Sequence, residues 1–388
     1  MNNLFGLRFS SSELCIKSIC AGVVMSLLFG CDFELPTPPP ATLYKYNVIP
    51  VGIGPTFLVA EDFNQDGFQD IVSANAKNST ITLLLGKGDG TFASNIDIAM
   101  PAEPTTMAVG HFNNDTYPDL AVNSRGENSF TVLFGSPKGL RIKHTHTKTG
   151  KVPLGIILAD YNQDGIEDAA VTLTFDKMEI FIGTGNGNFK SGERYITGSR
   201  AFSGVSDDFN GDGKMDIALA ASSSTASAVK IFLGNGDGTF ARPLSIAKDK
   251  MPLAIALHDM NADGRMDLIY SSAKGDNMFM SYSRGDGTFE DEIAFSGGGG
   301  PLNFTIGNFN DDTLPDIAVA NSRASSFSVV IRRPNGSFIY PTRDYVVDGG
   351  TVLAITDADF NGDGLTDIAV ASNFKNIVEI YLQRRLLK

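Results

Sequence analysis

The chain has 388 residues, of which 42% are hydrophobic, so it can bury a large core. Its formal net charge of −13 argues against nucleic acid or an anionic lipid surface as a partner, because phosphate groups are bound by basic surfaces. All three cysteines lie within the first 31 residues, so disulfides do not hold the rest of the chain together.

Residues 1–30 are predicted to be an export signal. Arg8 and Lys17 precede an apolar stretch, 19–29, which is too short to cross a bilayer as a helix. The stretch ends in Leu-Phe-Gly-Cys, which resembles the lipobox of bacterial lipoproteins, where the cysteine is acylated and becomes the first mature residue. Phe29 departs from that motif, in which a small residue is usual. The alternative is an ordinary cleaved signal with an incidental cysteine.

Residues 31–42 are predicted to carry the lipid on Cys31 and then to form a tether. Pro36 and Pro38–Pro40 favour a stiff, extended backbone there. We therefore expect a protein of the bacterial cell envelope that is anchored by lipid and extracytoplasmic, either periplasmic or facing the surface.

Between residues 62 and 367 the pattern D-x-N-x-D-G-x-x-D occurs seven times, at intervals of 48 to 51 residues. A fixed period of this size is typical of chains built from stacked supersecondary units. Five copies are intact, and two are altered at their first and sixth positions. The copies span residues 62–70, 111–119, 160–168, 208–216, 259–267, 308–316 and 359–367.

Each period predicts four strands. In the first, short strands at 56–60, 71–75 and 80–85 are followed by the hairpin Gly88-Asp89-Gly90 and a fourth, more polar strand at 91–98. Four short strands per period, without helical periodicity, fit the blade of a propeller.

The two ends of the repeat region predict a closed ring. The seventh unit stops near Leu382 after its third strand, while residues 43–48, ahead of the first unit, match an outer fourth strand. We therefore predict an all-β fold for residues 43–388: a seven-bladed β-propeller of four-stranded blades, closed by pairing of the N-terminal strand into the last blade.

The recurring loop places oxygen ligands at alternating positions, as calcium-binding loops do. The predicted ligands in the intact copies are the side chains at positions one, three, five and nine and the carbonyl at position seven. An EF-hand is excluded, because position 12 is never glutamate in these copies and both flanks are strands. The ligands are Asp62, Asn64, Asp66, Phe68 and Asp70; Asp160, Asn162, Asp164, Ile166 and Asp168; Asp208, Asn210, Asp212, Lys214 and Asp216; Asp259, Asn261, Asp263, Arg265 and Asp267; Asp359, Asn361, Asp363, Leu365 and Asp367.

We predict about five structural calcium ions. In the altered copies His111 and Asn308 replace the first aspartate, and Thr116 and Thr313 replace the glycine, so those two loops are expected to be weak or empty. The alternative is that all seven loops are Asx-rich turns without metal.

The loop at 208–216 and the segment Phe-Leu-Gly-Asn-Gly-Asp-Gly-Thr-Phe at 232–240 resemble FG-GAP or VCBS-type repeats. Such repeats are similar to those of the integrin α-subunit propeller and of calcium-binding propeller lectins. The resemblance covers residues 43–388 and implies a calcium-stapled propeller used outside the cytoplasm for adhesion or ligand binding. It does not imply one activity, because propellers host many functions.

Five positively charged side chains indicate a ligand face opposite the calcium loops. Each follows, by two residues, an Asn or Ser at the end of a blade's second strand, and together they would form a partial basic ring for an anionic ligand such as an acidic glycan. The alternative is solvated loop charges inherited through duplication of the repeat. The five are Lys77, Arg125, Lys274, Arg323 and Lys375.

Catalytic signatures are scarce, since the chain has neither H-E-x-x-H nor G-x-S-x-G. We therefore predict a monomeric, non-catalytic binding or adhesion module for a glycan or protein ligand. An extracytoplasmic lyase or hydrolase acting on polysaccharide, and a periplasmic assembly factor that binds another protein, are the alternatives.

Overall fold

A computed structural model describes residues 40–141, 144–223 and 226–385. The predictions for the export signal, for Cys31 and for the prolines up to Pro39 lie outside these ranges. Within them every regular element is a β-strand, and none of the described segments is a helix able to cross a membrane.

The strands form seven antiparallel four-stranded sheets, and each sheet is one blade. Blade 1 contains β2 (Pro55–Glu61), β3 (Asp70–Asn75), β4 (Thr80–Leu84) and β5 (Ile96–Ala99). Blade 2 contains β6 (Pro104–Gly110), β7 (Asp119–Ser124), β8 (Ser129–Leu133) and β9 (His144–Lys148). Blade 3 contains β10 (Pro153–Ala159), β11 (Asp168–Leu173), β12 (Lys177–Gly183) and β13 (Phe189–Ile196).

Blades 4 to 6 repeat this order. Blade 4 contains β14 (Arg200–Asp207), β15 (Asp216–Ser222), β16 (Ala228–Phe232) and β17 (Leu244–Ile246). Blade 5 contains β18 (Pro252–His258), β19 (Asp267–Ser272), β20 (Asn277–Ser281) and β21 (Ile293–Ser296). Blade 6 contains β22 (Pro301–Gly307), β23 (Asp316–Asn321), β24 (Ser326–Arg332) and β25 (Phe338–Val346).

The seventh blade closes the ring as predicted. It contains β26 (Val352–Ala358), β27 (Asp367–Ser372) and β28 (Ile377–Leu382), and its outer strand is β1 (Tyr44–Pro50). The pairing of β1 with β28 runs from Tyr44 opposite Leu382 to Pro50 opposite Ile377. The ends of the repeat region are therefore joined by main-chain hydrogen bonds, which leaves no open edge between the first and last units.

A buried carboxylate stabilises the pairing that closes the ring. Glu379 on β28 is fully buried, and it accepts hydrogen bonds from the Asp348 N–H and the Tyr381 hydroxyl, both at 2.7 Å. Lys45 on β1 supplies the compensating charge, with its Nζ 2.8 Å from Glu379 Oε2.

We expect Lys45→Met to lower the free energy of unfolding by about 2 kcal/mol, because it leaves a buried carboxylate without its cation. Urea unfolding measures this, and Glu379→Gln in the Lys45→Met background should recover part of the loss. An unchanged urea midpoint in the single variant would contradict the role of this pair in closure.

The core lies between blades. The second strands β3, β7, β11, β15, β19, β23 and β27 are buried along their whole length. Both sides of each such strand face a neighbouring blade, which explains why these strands lack the alternation of a one-sided sheet. One cluster, for example, packs Phe112 and Phe130 of blade 2 against Val171 and Phe181 of blade 3.

The ring has two faces that differ in sequence. The nine-residue repeats join the first and second strands of each blade on one face, here called the aspartate face. The links between blades and the loops joining second and third strands lie on the other, here called the mouth face. This division of the loops is the one that the sequence predicted.

Candidate functional site

The intact repeat loops curl around their first aspartate. In blade 1 the Asp62 carboxylate accepts the N–H groups of Asp66 and Gly67, at 3.1 and 2.8 Å. Asn64 Oδ1 also accepts the Asp66 N–H at 3.1 Å, and Asp66 Oδ1 accepts the Phe68 N–H at 3.0 Å. These bonds draw the side-chain oxygens of positions one, three and five onto one short loop. The same bonds from positions five and six to position one recur in the loops at Asp160, Asp208, Asp259 and Asp359.

The glycine at position six is required by the backbone. It has φ between 80° and 89° in the five intact loops, a conformation that strains residues with a Cβ. Thr116 and Thr313 do not adopt it. The two altered loops keep the bonds that the oxygens of positions three and five accept, but the bonds from positions five and six to position one are not formed in these described loops. In blade 6 the Asn308 side chain instead donates to the carbonyl of Asp312.

The ninth aspartate has a structural role that the sequence analysis missed. In blade 4, Asp216 Oδ2 accepts the Phe209 N–H at 3.0 Å, and Oδ1 accepts the Gly234 N–H, just beyond β16, at 2.7 Å. Each ninth aspartate is fully buried and bridges its own loop to the end of the third strand in this way, in the altered loops as well as the intact ones. The seven are Asp70, Asp119, Asp168, Asp216, Asp267, Asp316 and Asp367.

Burial raises the pKa of all seven of these carboxyls, against the opposing effect of the backbone N–H groups that they accept. The pKa rises to about 7 for Asp70, Asp316 and Asp367 and to about 6 for Asp168 and Asp216. In the intact loops the carboxylates at positions one and five raise it further. Such a cluster favours a bound cation, because a positive charge offsets the repulsion.

The chemistry of the intact loops fits calcium better than a transition metal. Each loop offers a half-buried carboxylate at position one, an exposed carboxylate at position five, one amide oxygen and a backbone carbonyl, and calcium prefers oxygen-only ligands. Across the described ranges, no three His, Cys, Asp or Glu side chains are gathered as a ready-made metal cluster. Each oxygen of the ninth aspartate accepts one amide N–H and keeps a second lone pair, so the place of this residue among the calcium ligands stays a prediction.

The sequence matches the FG-GAP-like repeat family over residues 62–122, 208–270, 259–319 and 308–370, which together exceed half of the chain. The chain belongs to the FG-GAP-like repeat family. No curated protein is significantly similar to it.

Several solved structures share the fold of this chain. A structure of BBS1N in complex with ARL6DN, soaked with lead, matches with a TM-score of 0.61 at 12% identity, over 90% of this chain and 99% of that one. The WD40 β-propeller domain of Doa1 matches with a TM-score of 0.60 at 10% identity, over 89% and 98%. A protein from Lactobacillus plantarum matches at 0.55 and 18% identity, over 76% and 86%. Identities this low support the shared fold alone.

The aromatic residues inside the loops of blades 2, 3, 4 and 7 pack between blades. Phe209 of blade 4 is buried, and its ring centroid lies 5.7 Å from that of Phe289 in the hairpin of blade 5. The Gly287 N–H of that hairpin donates to the Phe209 carbonyl at 2.8 Å. Equivalent pairs join blade 7 to blade 1, blade 2 to blade 3 and blade 3 to blade 4. Ring contacts and main-chain hydrogen bonds thus join these consecutive repeats on the aspartate face.

Strand pairing corrects the predicted ring of five equivalent cations. The residues opposite the start of the first strand are Asn75, Ser272 and Asn321 in blades 1, 5 and 6, but Ser124 and Ser372 in blades 2 and 7. Only Lys77, Lys274 and Arg323 are therefore equivalent, while Arg125 lies one position earlier and Lys375 one position later. The prediction counted from Asn123 and Asn373, each displaced by one residue, so the proposed equivalence was wrong for two of the five.

Some of these side chains already contact other segments of the mouth face, as Arg323 and Lys77 show. The Arg323 guanidinium pairs with Asp276 of the neighbouring blade. The Lys77 side chain lies across Gly54, where an added Cβ would come within 2.7 Å of Lys77 Cγ. These contacts show how loop cations can serve the link between blades instead of a ligand.

Exposed apolar side chains concentrate on the mouth face, which the sequence analysis did not foresee. Among the described residues, the five most exposed large apolar side chains all belong to it. They are Phe374 (81%), Ile196 (76%), Phe175 (71%), Val346 (71%) and Ile53 (51%).

Proposed function

We propose that the protein is a non-catalytic, calcium-stabilised binding module of the bacterial envelope that docks its partner on the mouth face. The observation that carries this proposal is the concentration of exposed apolar side chains there, since exposed apolar groups clustered on one surface mark interaction sites. The aspartate face, in contrast, carries the ring contacts and hydrogen bonds that join neighbouring blades.

Calcium would belong to the aspartate face. In each intact loop the ion would be held by the side chains at positions one, three and five and the carbonyl at position seven, above the ninth aspartate. The ion would compensate negative charge there, because the fold holds several carboxylates close enough to repel one another. The ion would therefore stiffen the ring without touching the partner.

A photo-crosslinking comparison tests the docking face. We expect p-benzoylphenylalanine in place of Phe374 on the mouth face to give crosslinked partners in cells, and the same group in place of Phe68 on the aspartate face to give none. Crosslinks only from position 68, or from neither position, would contradict the proposal. Product formation from an acidic polysaccharide would contradict its non-catalytic part.

A further inference from the structure

The innermost strand of every blade has a β-bulge at its mouth-face end. The register of pairing with the second strand shifts there, for example between Pro55 and Phe57 in blade 1 and between Ala201 and Ser203 in blade 4. A bulge re-aims the extra side chain away from the regular ladder. All seven blades share the feature.

The bulged residues converge on one pocket at the mouth of the central channel. Its volume is about 560 Å³, within the ~300–1,000 Å³ range of ligand pockets. Blades 3 to 7 contribute apolar side chains from the bulges, and blades 1 and 2 contribute threonines, Thr56 and Thr105. The five apolar residues, here called the apolar crescent, are Leu154, Phe202, Leu253, Leu302 and Leu353.

The side of the pocket formed by blades 1 and 2 carries its one charged lining residue, Arg125. Arg125 is exposed, and no ion pair among the described residues includes its guanidinium. The Thr105 hydroxyl beside it is buried and has no hydrogen-bond partner within the described ranges. One side of the pocket is thus apolar, and the other offers a cation and hydroxyls.

We propose that this pocket binds the carboxyl-terminal end of a partner protein, with an apolar last side chain against the crescent and the terminal carboxylate on Arg125. The inference rests on the proposed binding function and names its partner class. An apolar residue at a chain terminus combines an apolar side chain with a carboxylate. A guanidinium binds a carboxylate by donating two parallel hydrogen bonds.

The lining and its surroundings favour a protein end over a sugar. A sugar needs several free side-chain hydrogen-bonding groups, whereas no carboxylate lines the pocket and the Thr56 and Thr106 hydroxyls already donate to main-chain carbonyls. The amide oxygen of Asn303 likewise accepts the N–H of the next residue at 2.9 Å. Exposed Phe175 and Phe374 stand on loops of the same face and offer contact area for the rest of a folded partner.

Fluorescence anisotropy with the full mature protein in calcium tests the proposal. The probe is the labelled peptide Gly-Ser-Gly-Ser-Gly-Phe with a free carboxylate, compared with the same peptide as its amide and with a version ending in serine. We expect the free acid to bind at least about tenfold more tightly than either comparison peptide, the loss expected when a charge-assisted hydrogen bond or a buried aromatic group is removed.

Matched variants separate the two halves of the pocket. Arg125→Gln should weaken binding of the free acid about tenfold and abolish the preference over the amide, while Lys77→Gln, which removes a mouth-face cation outside the pocket, should leave affinity unchanged. Leu302→Thr should lower the affinity for the free acid and for its amide alike. Threonine already occupies the equivalent bulge in blades 1 and 2, so the fold tolerates it.

Equal affinity for acid and amide, or complete displacement of the peptide by octanoate at a lower concentration than by unlabelled peptide, would overturn the inference. If no peptide binds while crosslinks still form from position 374, this inference fails and the proposed function stands. Absence of both would overturn the two together.

Discussion

Removal of calcium is expected to lower the melting temperature of this propeller by about 10–20 °C at pH 8 and by much less at pH 5.5. Binding to the folded state alone stabilises by RT ln(1 + [L]/Kd), about 2.7 kcal/mol per site at hundredfold saturation. Five intact loops therefore give a large total effect, even if their contributions are partly redundant.

The pH dependence follows from the buried aspartates. In the metal-free protein the pKa of Asp70 and Asp367 is about 7 and that of Asp168 and Asp216 about 6, above the value of 3.8 for a free side chain. The folded state therefore holds these protons more tightly than the unfolded state. Stability from these groups is complete below the pKa of the unfolded chain and is lost as the pH rises through 6 to 7.

Calcium is expected to reverse this trend, because it binds carboxylates in their ionised form. The metal-free protein should gain stability between pH 8 and pH 5.5, while the calcium-loaded protein loses its advantage over the same interval as protons compete with the ion. Calorimetric melting in excess calcium and in excess EGTA at both pH values measures the four quantities. Identical melting temperatures with calcium and EGTA at pH 8 would contradict calcium binding, and a metal-free protein more stable at pH 8 than at pH 5.5 would contradict the role of the buried aspartates.

The fold could be predicted because one unit recurs seven times. A single blade is too short to predict with security, but the recurrence of the loop and its flanking strands, with a Gly-x-Gly hairpin in four of the units, indicates the number and order of the strands. The closure by β1 followed from the missing fourth strand after Leu382, and the pairing of Tyr44 with Leu382 confirms it.

What the sequence could not supply depends on register and on contacts across strands. Arg125 and Lys375 were misaligned by one residue because counting from the nearest asparagine ignores which residue actually pairs with the first strand. The β-bulges at Leu154 and Phe202 could not be predicted for a related reason. Both are ordinary apolar residues in the sequence, and their side chains line the channel because the register of strand pairing shifts there. The two amides that each ninth aspartate accepts come from separate segments, so the spacing of the motif could not reveal them.

The ninth aspartate is expected to matter for folding whether or not calcium is present. Asp216→Asn should lower the free energy of unfolding by about 2 kcal/mol in EGTA, because an amide can accept only one of the two buried N–H groups that Asp216 accepts. The loss in calcium should be larger, because the variant also removes a negative charge that the ion compensates. Both altered loops support this assignment. They have lost the first aspartate and the glycine, yet they retain Asp119 and Asp316 at the ninth position.

Asp208→Asn, in the same loop, is the matched control. Asn308 already occupies this position in blade 6, so the fold accommodates an amide there, and the N–H groups that Asp208 bonds are exposed to water. We expect this variant to leave stability in EGTA unchanged and to remove one site's share of the stabilisation by calcium. Urea unfolding of both variants, each with and without calcium, separates the two roles. An unchanged stability of Asp216→Asn in EGTA would contradict the scaffold role of the ninth position, and a loss in EGTA for Asp208→Asn would contradict the assignment of the first position to ion binding alone.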